Sequence, residues 1–181
     1  MVCASSFSPR SYACVRGLSS STRTVGLTTV LPSAGSVSRG PHTTVSSADA
    51  VLSGAEEAIV EGTADVVVTT RVPQGWLGDW LLDVEMIAVS SPTHPLQGLQ
   101  RALTLEDLAL HTQVVVRDSG RQQPRDEGWL GAPHRWTVAS LEASHAAVRA
   151  GLAYAWLPAH GVTEDLAGGR LKALPLAVGG T

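Results

Sequence analysis

Two short segments of the sequence combine hydroxyl side chains with an arginine, which is chemistry that suits a carboxylate or another small anion. Each segment follows a run of β-branched residues typical of a buried strand. In an open α/β sheet, ligands bind beyond the carboxyl ends of the strands, so a binding loop is expected there. Ordinary capping of loops by threonine, aspartate and serine is the alternative interpretation. The residues concerned are Thr69, Thr70, Arg71, Arg117, Asp118, Ser119 and Gly120.

The sequence contains none of the common catalytic or nucleotide-binding signatures. The patterns G-x-G-x-x-G, G-x-x-x-x-G-K-[ST], H-E-x-x-H and G-x-S-x-G are absent, and the single lysine, Lys172, lies in a predicted strand. The six histidines show no pair at the spacing of a helical metal site. His145 is expected to be a satisfied core or hinge histidine, and the acid pairs Glu56–Glu57 and Glu164–Asp165 to be helix-start charges. We therefore predict no enzymatic activity, no cofactor and no metal.

Strands and helices alternate at short spacing from residue 51 onwards, which predicts an α/β fold with a mainly parallel sheet. Helices are predicted from Ser53, Thr104 and Ser140, each as a capping residue, and over residues 160–167. The predicted strands are 64–69, 84–90, 112–117, 136–139, 153–157 and 171–176.

Composition and charge separate the first fifty residues from the rest. Residues 1–50 are rich in serine and threonine and carry four arginines against Asp49, or +3, whereas residues 51–181 carry nine basic and fifteen acidic residues, or −6. The first segment is interpreted as disordered or non-native, with a transit peptide or a structured segment as alternatives. The only cysteines are Cys3 and Cys14, which suits a reducing cytoplasm. No apolar run approaches the ~20 residues of a membrane span.

Five segments between residues 62 and 176 carry motifs in a characteristic order. They are GTADVVVTT (Gly62–Thr70), SSPTHPL (Ser90–Leu96), LEDLALHTQVVVRDSG (Leu105–Gly120), RWTVASLEASHAAVRAGLAYAWLPAHGV (Arg135–Val162) and GGRLKALPL (Gly168–Leu176). Together they resemble the effector-binding domain of LysR-type bacterial transcription regulators. Leu152 and Ala153 stand where the family has a second glycine, which is a small departure.

The resemblance implies a periplasmic-binding-protein-like fold of two Rossmann-like lobes, with the first lobe incomplete in this chain. Residues 51–82 are then a remnant of the first lobe and a linker, residues 83–171 the second lobe, and residues 172–181 the return linker. Thr69–Arg71 match the first lobe's ligand loop and Arg117–Gly120 the second lobe's. A carboxylate effector is expected to contact Thr70 and Ser119.

The resemblance also implies what the chain does and with which partners. It predicts a small-molecule sensor in the cytoplasm that is a homo-oligomer in its full-length form. DNA would be bound through a helix-turn-helix, and none is recognisable in residues 1–50. A periplasmic-type solute-binding protein and a small α/β enzyme using His145 or His160 with a nearby carboxylate remain as alternatives.

Overall fold

A computed structural model of the chain describes residues 10–15, 48–122, 124–125 and 132–176, with only the backbone described in residues 10–15. Their contacts divide them into two compact units. The N-terminal unit takes in Arg10–Leu82 and Asp118–Arg125, and the C-terminal unit takes in Asp83–Arg117 and the described residues from 132 onwards. The predicted segments 1–50, 51–82, 83–171 and 172–181 stay predictions.

Within its described residues, the N-terminal unit is a three-stranded sheet with one helix packed on it. Its elements are β1 (Arg10–Val15), α1 (Ser53–Val60), β2 (Val66–Thr69) and β3 (Gly78–Asp83), of which the last residue belongs to the C-terminal unit. The strands lie in the order β2-β1-β3, and β1 runs antiparallel to β2 with Val15 opposite Val66. Ala55 and Ile59 of α1 are buried against Val67 and Ala64, so the α1–β2 pair carries this unit's apolar core.

Two of these strands lie where the sequence pattern did not predict them. Strand β1 falls within the Ser/Thr-rich first fifty residues, and β3 falls in a stretch that contains Gly78 and Asp79 and lacks a clear alternation. Every residue of β3 is exposed, including Trp80, Leu81 and Leu82. A strand exposed on both faces has no reason to show the alternating pattern on which strand prediction depends.

Helix α1 begins differently from the prediction, which was wrong about its capping residue. Ser53 is the first helical residue rather than the N-cap, and the N-cap is Leu52, whose side chain makes no capping hydrogen bond. Leu52 has φ of 51°, in the left-handed region that costs a non-glycine residue about 1–3 kcal/mol. At the other end, Gly62 has φ of 73°, a conformation that glycine adopts without strain, and the helix terminates before it.

The C-terminal unit is a five-stranded mixed sheet. The prediction of a mainly parallel sheet was wrong here, because β5 pairs in parallel with β6 and β7 whereas β4 runs antiparallel to β7 and β8. The strand order is β6-β5-β7-β4-β8, so strand direction depends on pairings between segments distant in sequence. The strands are β4 (Met86–Ser90), β5 (Gln113–Val116), β6 (Arg135–Val138), β7 (Tyr154–Pro158) and β8 (Lys172–Ala173).

Three helices cover this sheet: α2 (Leu105–Ala109), α3 (Leu141–Arg149) and α4 (Ala159–Ala167). The predicted caps of the first two are confirmed. The Thr104 hydroxyl accepts a hydrogen bond from the Asp107 N–H in a complete capping box, and the Ser140 hydroxyl accepts one from the Ala143 N–H at 3.2 Å. No helix in the described part of the chain is long and apolar enough to span a membrane.

Apolar side chains are buried on both faces of the C-terminal sheet. Val89 and Ala155, which are paired across β4 and β7, belong to one buried cluster, whereas Ala88 and Tyr154 belong to another. Successive side chains of a strand point to opposite faces, so neighbours in sequence enter different clusters. This burial explains why the motif-bearing strands read as continuous apolar runs in the sequence.

Candidate functional site

The loop Thr69–Arg71 leaves the carboxyl end of β2 with one buried hydroxyl that has no partner. Thr69 is buried, and its Oγ1 accepts a hydrogen bond from the Arg71 N–H at 3.4 Å. The Oγ1 of Thr70 is buried and makes no hydrogen bond to any described residue, while Arg71 is exposed. A buried polar group without a partner costs about 1–3 kcal/mol, so an incoming acceptor or donor would stabilise this loop.

Asp118 connects the second predicted loop to the beginning of α1. Its Oδ1 accepts hydrogen bonds from the Ser53 and Gly120 N–H groups at 3.1 and 2.8 Å, and its Oδ2 accepts from the Ser53 hydroxyl at 2.8 Å. The Arg125 N–H also donates to Oδ2, at 2.7 Å. The free N–H groups at a helix start favour an anion, so Asp118 caps α1 from 65 residues away in place of the missing local cap.

These contacts keep the Asp118 side chain charged. Burial alone would raise its pKa, but the N–H groups of Gly120, Arg125 and Ser53, together with the Ser53 hydroxyl, lower the pKa below its ordinary value. The four hydrogen bonds of the carboxylate hold the loop and the helix together. Asp118 therefore positions the loop, and its oxygens are already occupied by donors of this chain.

Ser119 and Gly120 complete the junction with α1 by close backbone approach. The Ser119 hydroxyl accepts a hydrogen bond from the Val51 N–H at 2.7 Å and donates to the Val51 carbonyl at 3.1 Å. A Cβ at Gly120 would lie 1.9 Å from the Ser53 Oγ, and one at Gly54 would lie 2.0 Å from the Ser119 Oγ. Glycine is thus required at both positions, and contacts on either side of Leu52 hold its strained backbone in place.

Further along the same loop, backbone N–H groups surround a carboxylate of α1. The Arg121 N–H points at both oxygens of Glu57, at 2.9 and 2.8 Å, and the Gln122 N–H donates to Oε1 at 2.8 Å. Glu56 forms an ion pair with Arg125, and Gln122 Nε2 donates to Glu61 at 3.0 Å. The sequence interpretation of Glu56–Glu57 as helix-start charge missed these contacts, since nothing local signals a partner more than sixty residues away.

The predicted site residues fall into three groups in the structure. Asp118, Ser119 and Gly120 are brought together against α1, whereas within the described part of the chain no hydrogen bond joins them to Thr69–Arg71. Arg117 belongs to the C-terminal unit; its side chain is exposed and its N–H donates to the Val138 carbonyl at 2.8 Å. The assignment of all seven residues to effector binding stays a prediction.

His145 forms an ion cluster in the C-terminal unit. Its Nε2 lies 2.5 Å from Oδ2 of Asp165, which is buried, and Oδ1 of Asp165 is bound by Arg170 and lies 3.7 Å from Nε of Arg149. The hydrogen bond from Arg170, followed by that from His145 and the charge of Arg149, lowers the pKa of Asp165 against the opposing effect of burial. With two arginines on the carboxylate, the cluster ties α3, α4 and Arg170 together rather than activating the histidine as a base.

The described residues contain no group of three or more His, Cys, Asp or Glu side chains that could hold a metal ion. Two histidines, His94 and His111, have rings 5.1 Å apart at an edge-on angle. His94 Nδ1 accepts the Leu96 N–H, so this side chain caps the 3-10 helix Pro95–Gly98.

Comparison with known proteins assigns the chain to a family. The model of the LysR substrate-binding domain matches residues 22–179. The HTH-type transcriptional regulator YhaJ of Escherichia coli, described as probable in strain K12, is 29% identical over 127 residues, which cover 67% of this chain and 43% of YhaJ. The chain therefore spans less than half the length of the curated relatives it matches.

Solved structures show the same fold. The regulatory domain of MetR (NMB2055), a LysR family regulator from Neisseria meningitidis, superposes with a TM-score of 0.57 at 19% identity, covering 74% of this chain and 64% of that one. Full-length LysG from Corynebacterium glutamicum with its bound effector Arg gives a TM-score of 0.54 at 20% identity, covering 73% of this chain and 47% of that one.

The chain belongs to the LysR substrate-binding domain family. Its α/β fold is the periplasmic-binding-protein-like fold of LysR regulatory domains, as the five ordered motifs predicted. The match begins at residue 22, inside the Ser/Thr-rich segment that is interpreted from its sequence as disordered or non-native. This is the effector-binding class of domain, and its homologues are transcription regulators rather than enzymes.

Proposed function

We propose that this chain is the sensing part of a LysR-type transcription regulator and that it binds a small carboxylate effector through Thr70. One observation carries this assignment: the buried Oγ1 of Thr70 has no hydrogen-bond partner and lies directly after the carboxyl end of β2. A carboxylate oxygen accepting from this hydroxyl would remove the cost of leaving it unsatisfied. The exposed guanidinium of Arg71, one residue further on, supplies a complementary charge.

Residues of the second loop have different roles in the same proposed site. Ser119 is exposed; its O–H, which donates to the Val51 carbonyl, would turn to donate to the carboxylate while its oxygen keeps accepting from the Val51 N–H. Gly120 allows the close approach that brings the loop to α1, and Asp118 holds the loop through four hydrogen bonds. We therefore assign direct contact to Ser119 and a positioning role to Asp118 and Gly120.

The proposal extends to the partners of the whole protein. Effector binding would favour one of two arrangements of the sensing domain and so bias an attached helix-turn-helix on DNA. We propose that the full-length protein is a homo-oligomer in the cytoplasm, and that DNA is contacted only through the helix-turn-helix. We expect no catalysis at His145, because Asp165 is shared with Arg170 and Arg149.

The effector assignment is tested on the 181-residue chain by thermal shift and isothermal titration. The probes are L-arginine, the other L-amino acids, and straight-chain mono- and dicarboxylates, each against sodium chloride at equal ionic strength. A binding probe should lose about tenfold in affinity on Thr70→Val, since a hydrogen bond to a charged group contributes about 1.5–3 kcal/mol. Ser119→Ala should also weaken binding.

The matched control is Thr163→Val, which removes an exposed threonine hydroxyl on α4 in the C-terminal unit. Its affinity for the probe should equal that of the unaltered chain. Unchanged affinity in Thr70→Val, with the probe still binding, would remove Thr70 from the site and with it the observation on which the proposal rests.

A further inference from the structure

The backbone of residues 120–122 forms an anion-binding concavity that already holds an anion belonging to this chain. Successive N–H groups that converge on one point make a nest for a carboxylate or phosphate. Here the Arg121 N–H reaches both oxygens of Glu57, at 2.9 and 2.8 Å, and the Gln122 N–H reaches Oε1 at 2.8 Å. The Gly120 N–H is turned to Asp118 instead, so the two carboxylates share the loop between them.

We propose that Glu57 is an internal competitor for the carboxylate group of the effector, occupying the Arg121 and Gln122 N–H groups until an external carboxylate displaces it. The inference rests on the proposed function for its biological meaning, since it adds a second anchoring point to the same sensing loop. The backbone N–H groups of residues 121 and 122 would thus bind a carboxylate, which the side chains of these residues alone do not suggest.

The two carboxylates bound by the loop differ in how readily a solute can replace them. Asp118 is buried and bonded by Ser53, Gly120 and Arg125, so its removal would leave several buried donors unpaired. Arg121 and Gln122 are exposed, so water or a solute carboxylate can reach their N–H groups. The nest can therefore exchange its occupant while Asp118 keeps the loop attached to α1.

The charge around the nest favours an external anion once Glu57 has moved away. The Arg121 side chain is exposed beside its own N–H, and Arg125 forms an ion pair with Glu56 from the preceding position of α1. Glu61 accepts a hydrogen bond from Nε2 of the Gln122 side chain at 3.0 Å, whereas the Gln122 N–H donates to Glu57. Glu57 is thus the acid that accepts hydrogen bonds from the backbone N–H groups of the nest.

An occupied nest lowers the apparent affinity for a solute by the fraction of time that the nest is free. Replacing Glu57 with alanine should remove this competition. We expect the apparent dissociation constant for acetate to fall about tenfold, which corresponds to a nest that Glu57 leaves free for about a tenth of the time. Glu61→Ala is the matched control, because it removes an acid from the end of the same helix without freeing a backbone donor.

The experiment uses the ¹⁵N-labelled 181-residue chain and follows the backbone amide resonances of Arg121 and Gln122 as sodium acetate replaces sodium chloride. Saturable shifts at about tenfold lower acetate in Glu57→Ala than in the unaltered chain or Glu61→Ala support the proposal. Identical titrations in all three proteins, or amides that do not respond in Glu57→Ala, overturn it. Inorganic phosphate in a parallel titration shows whether the nest prefers a planar carboxylate.

Hydrogen exchange at the Ser53 and Gly120 amides reports whether the loop stays attached. Glu57→Gln, which keeps the side-chain volume, is the second variant. If both variants lose protection at Ser53 and Gly120, Glu57 holds the loop in place and does not compete, and the proposal fails. Effector binding is tested separately, by comparing the affinity of Thr70→Val with that of the unaltered chain. A nest that does not exchange Glu57 and a domain that binds no carboxylate therefore give different results.

Discussion

Replacing Asp118 with asparagine should release the loop 118–125 from α1. Oδ1 and Oδ2 each accept two hydrogen bonds, and an asparagine keeps only one oxygen, so one pair of donors must lose its acceptor. Its amide group would also face a donor, either the Arg125 N–H or the Gly120 N–H. With about 1.5–3 kcal/mol for each hydrogen bond to a charged group, and allowing for relaxation, we expect about 2–4 kcal/mol less stability of the docked loop.

The assay is hydrogen exchange of the Gly120 and Arg125 amides, because it reports opening of this loop without assuming that both units unfold together. The expected loss corresponds to exchange that is roughly 30-fold to several-hundred-fold faster in Asp118→Asn. Asp79→Asn, an exposed acid in β3, is the matched control and should leave these amides unchanged. Equal exchange in all three proteins would refute the role of Asp118 as the remote cap of α1.

The same carboxylate makes the junction sensitive to acid. Because the folded pKa of Asp118 lies below its unfolded value, its contribution to stability is complete above about pH 4 and is lost as the pH falls through the lowered folded pKa. Exchange at Gly120 should therefore accelerate below about pH 4, after correction for intrinsic rates. Asp118→Asn should show no such acid-dependent step.

Four further predictions concern Gly120, Tyr154 and Arg170. Gly120→Ala should destabilise the loop by about 1–3 kcal/mol because its Cβ would overlap the Ser53 Oγ, whereas Gly98→Ala, with open space around it, should change stability by less than about 0.5 kcal/mol in urea unfolding. Tyr154→Phe should leave stability unchanged or raise it by up to about 1 kcal/mol, because the buried hydroxyl has no partner; a larger loss would contradict this. Burial raises the pKa of Tyr154 to about 12, so the free energy of unfolding should fall as the pH rises above about 10. In a pH titration, the tyrosinate absorbance of Tyr154 should appear only near pH 12, and this signal should be absent from Tyr154→Phe. Arg170→Gln should flatten the loss of stability below about pH 4, since Arg170 is the main cause of the lowered pKa of Asp165.

The parts of the fold that depend on local sequence could be predicted. The caps Thr104 and Ser140 and the buried strand β7, which the sequence predicts over residues 153–157, are each encoded within a few residues. Propensity and periodicity are local properties, so they specify elements of this kind. The order of the five motifs then specified the family without any information on how the strands pair.

The parts that could not be predicted depend on contacts between distant segments. Ser53 looked like an N-cap, but the acceptor at the start of α1 is Asp118, and the position of Leu52 depends on contacts with the same loop. The antiparallel direction of β4 follows from its pairing with β7, which lies more than sixty residues further along the chain. A local pattern carries no information about such partners.

The candidate site shows the same limit. The predicted residues Asp118, Ser119 and Gly120 do lie together, but the structure uses their polar groups to fasten the loop to α1. Residues Arg121 and Gln122 take part through backbone N–H groups, which every non-proline residue has, so their side-chain identity gives no signal. Their role becomes visible only when the position of Glu57 is known.

The most direct test of the central claim is a map of where a small carboxylate binds the ¹⁵N-labelled chain. Each probe that shifts the melting temperature is titrated, and saturable changes in amide resonances are assigned to residues. We predict changes centred on Thr69–Arg71 and on residues 118–122, with binding about tenfold weaker in Thr70→Val. Saturable binding that maps elsewhere, or a panel in which no carboxylate binds, would contradict the proposal that this domain senses a carboxylate effector.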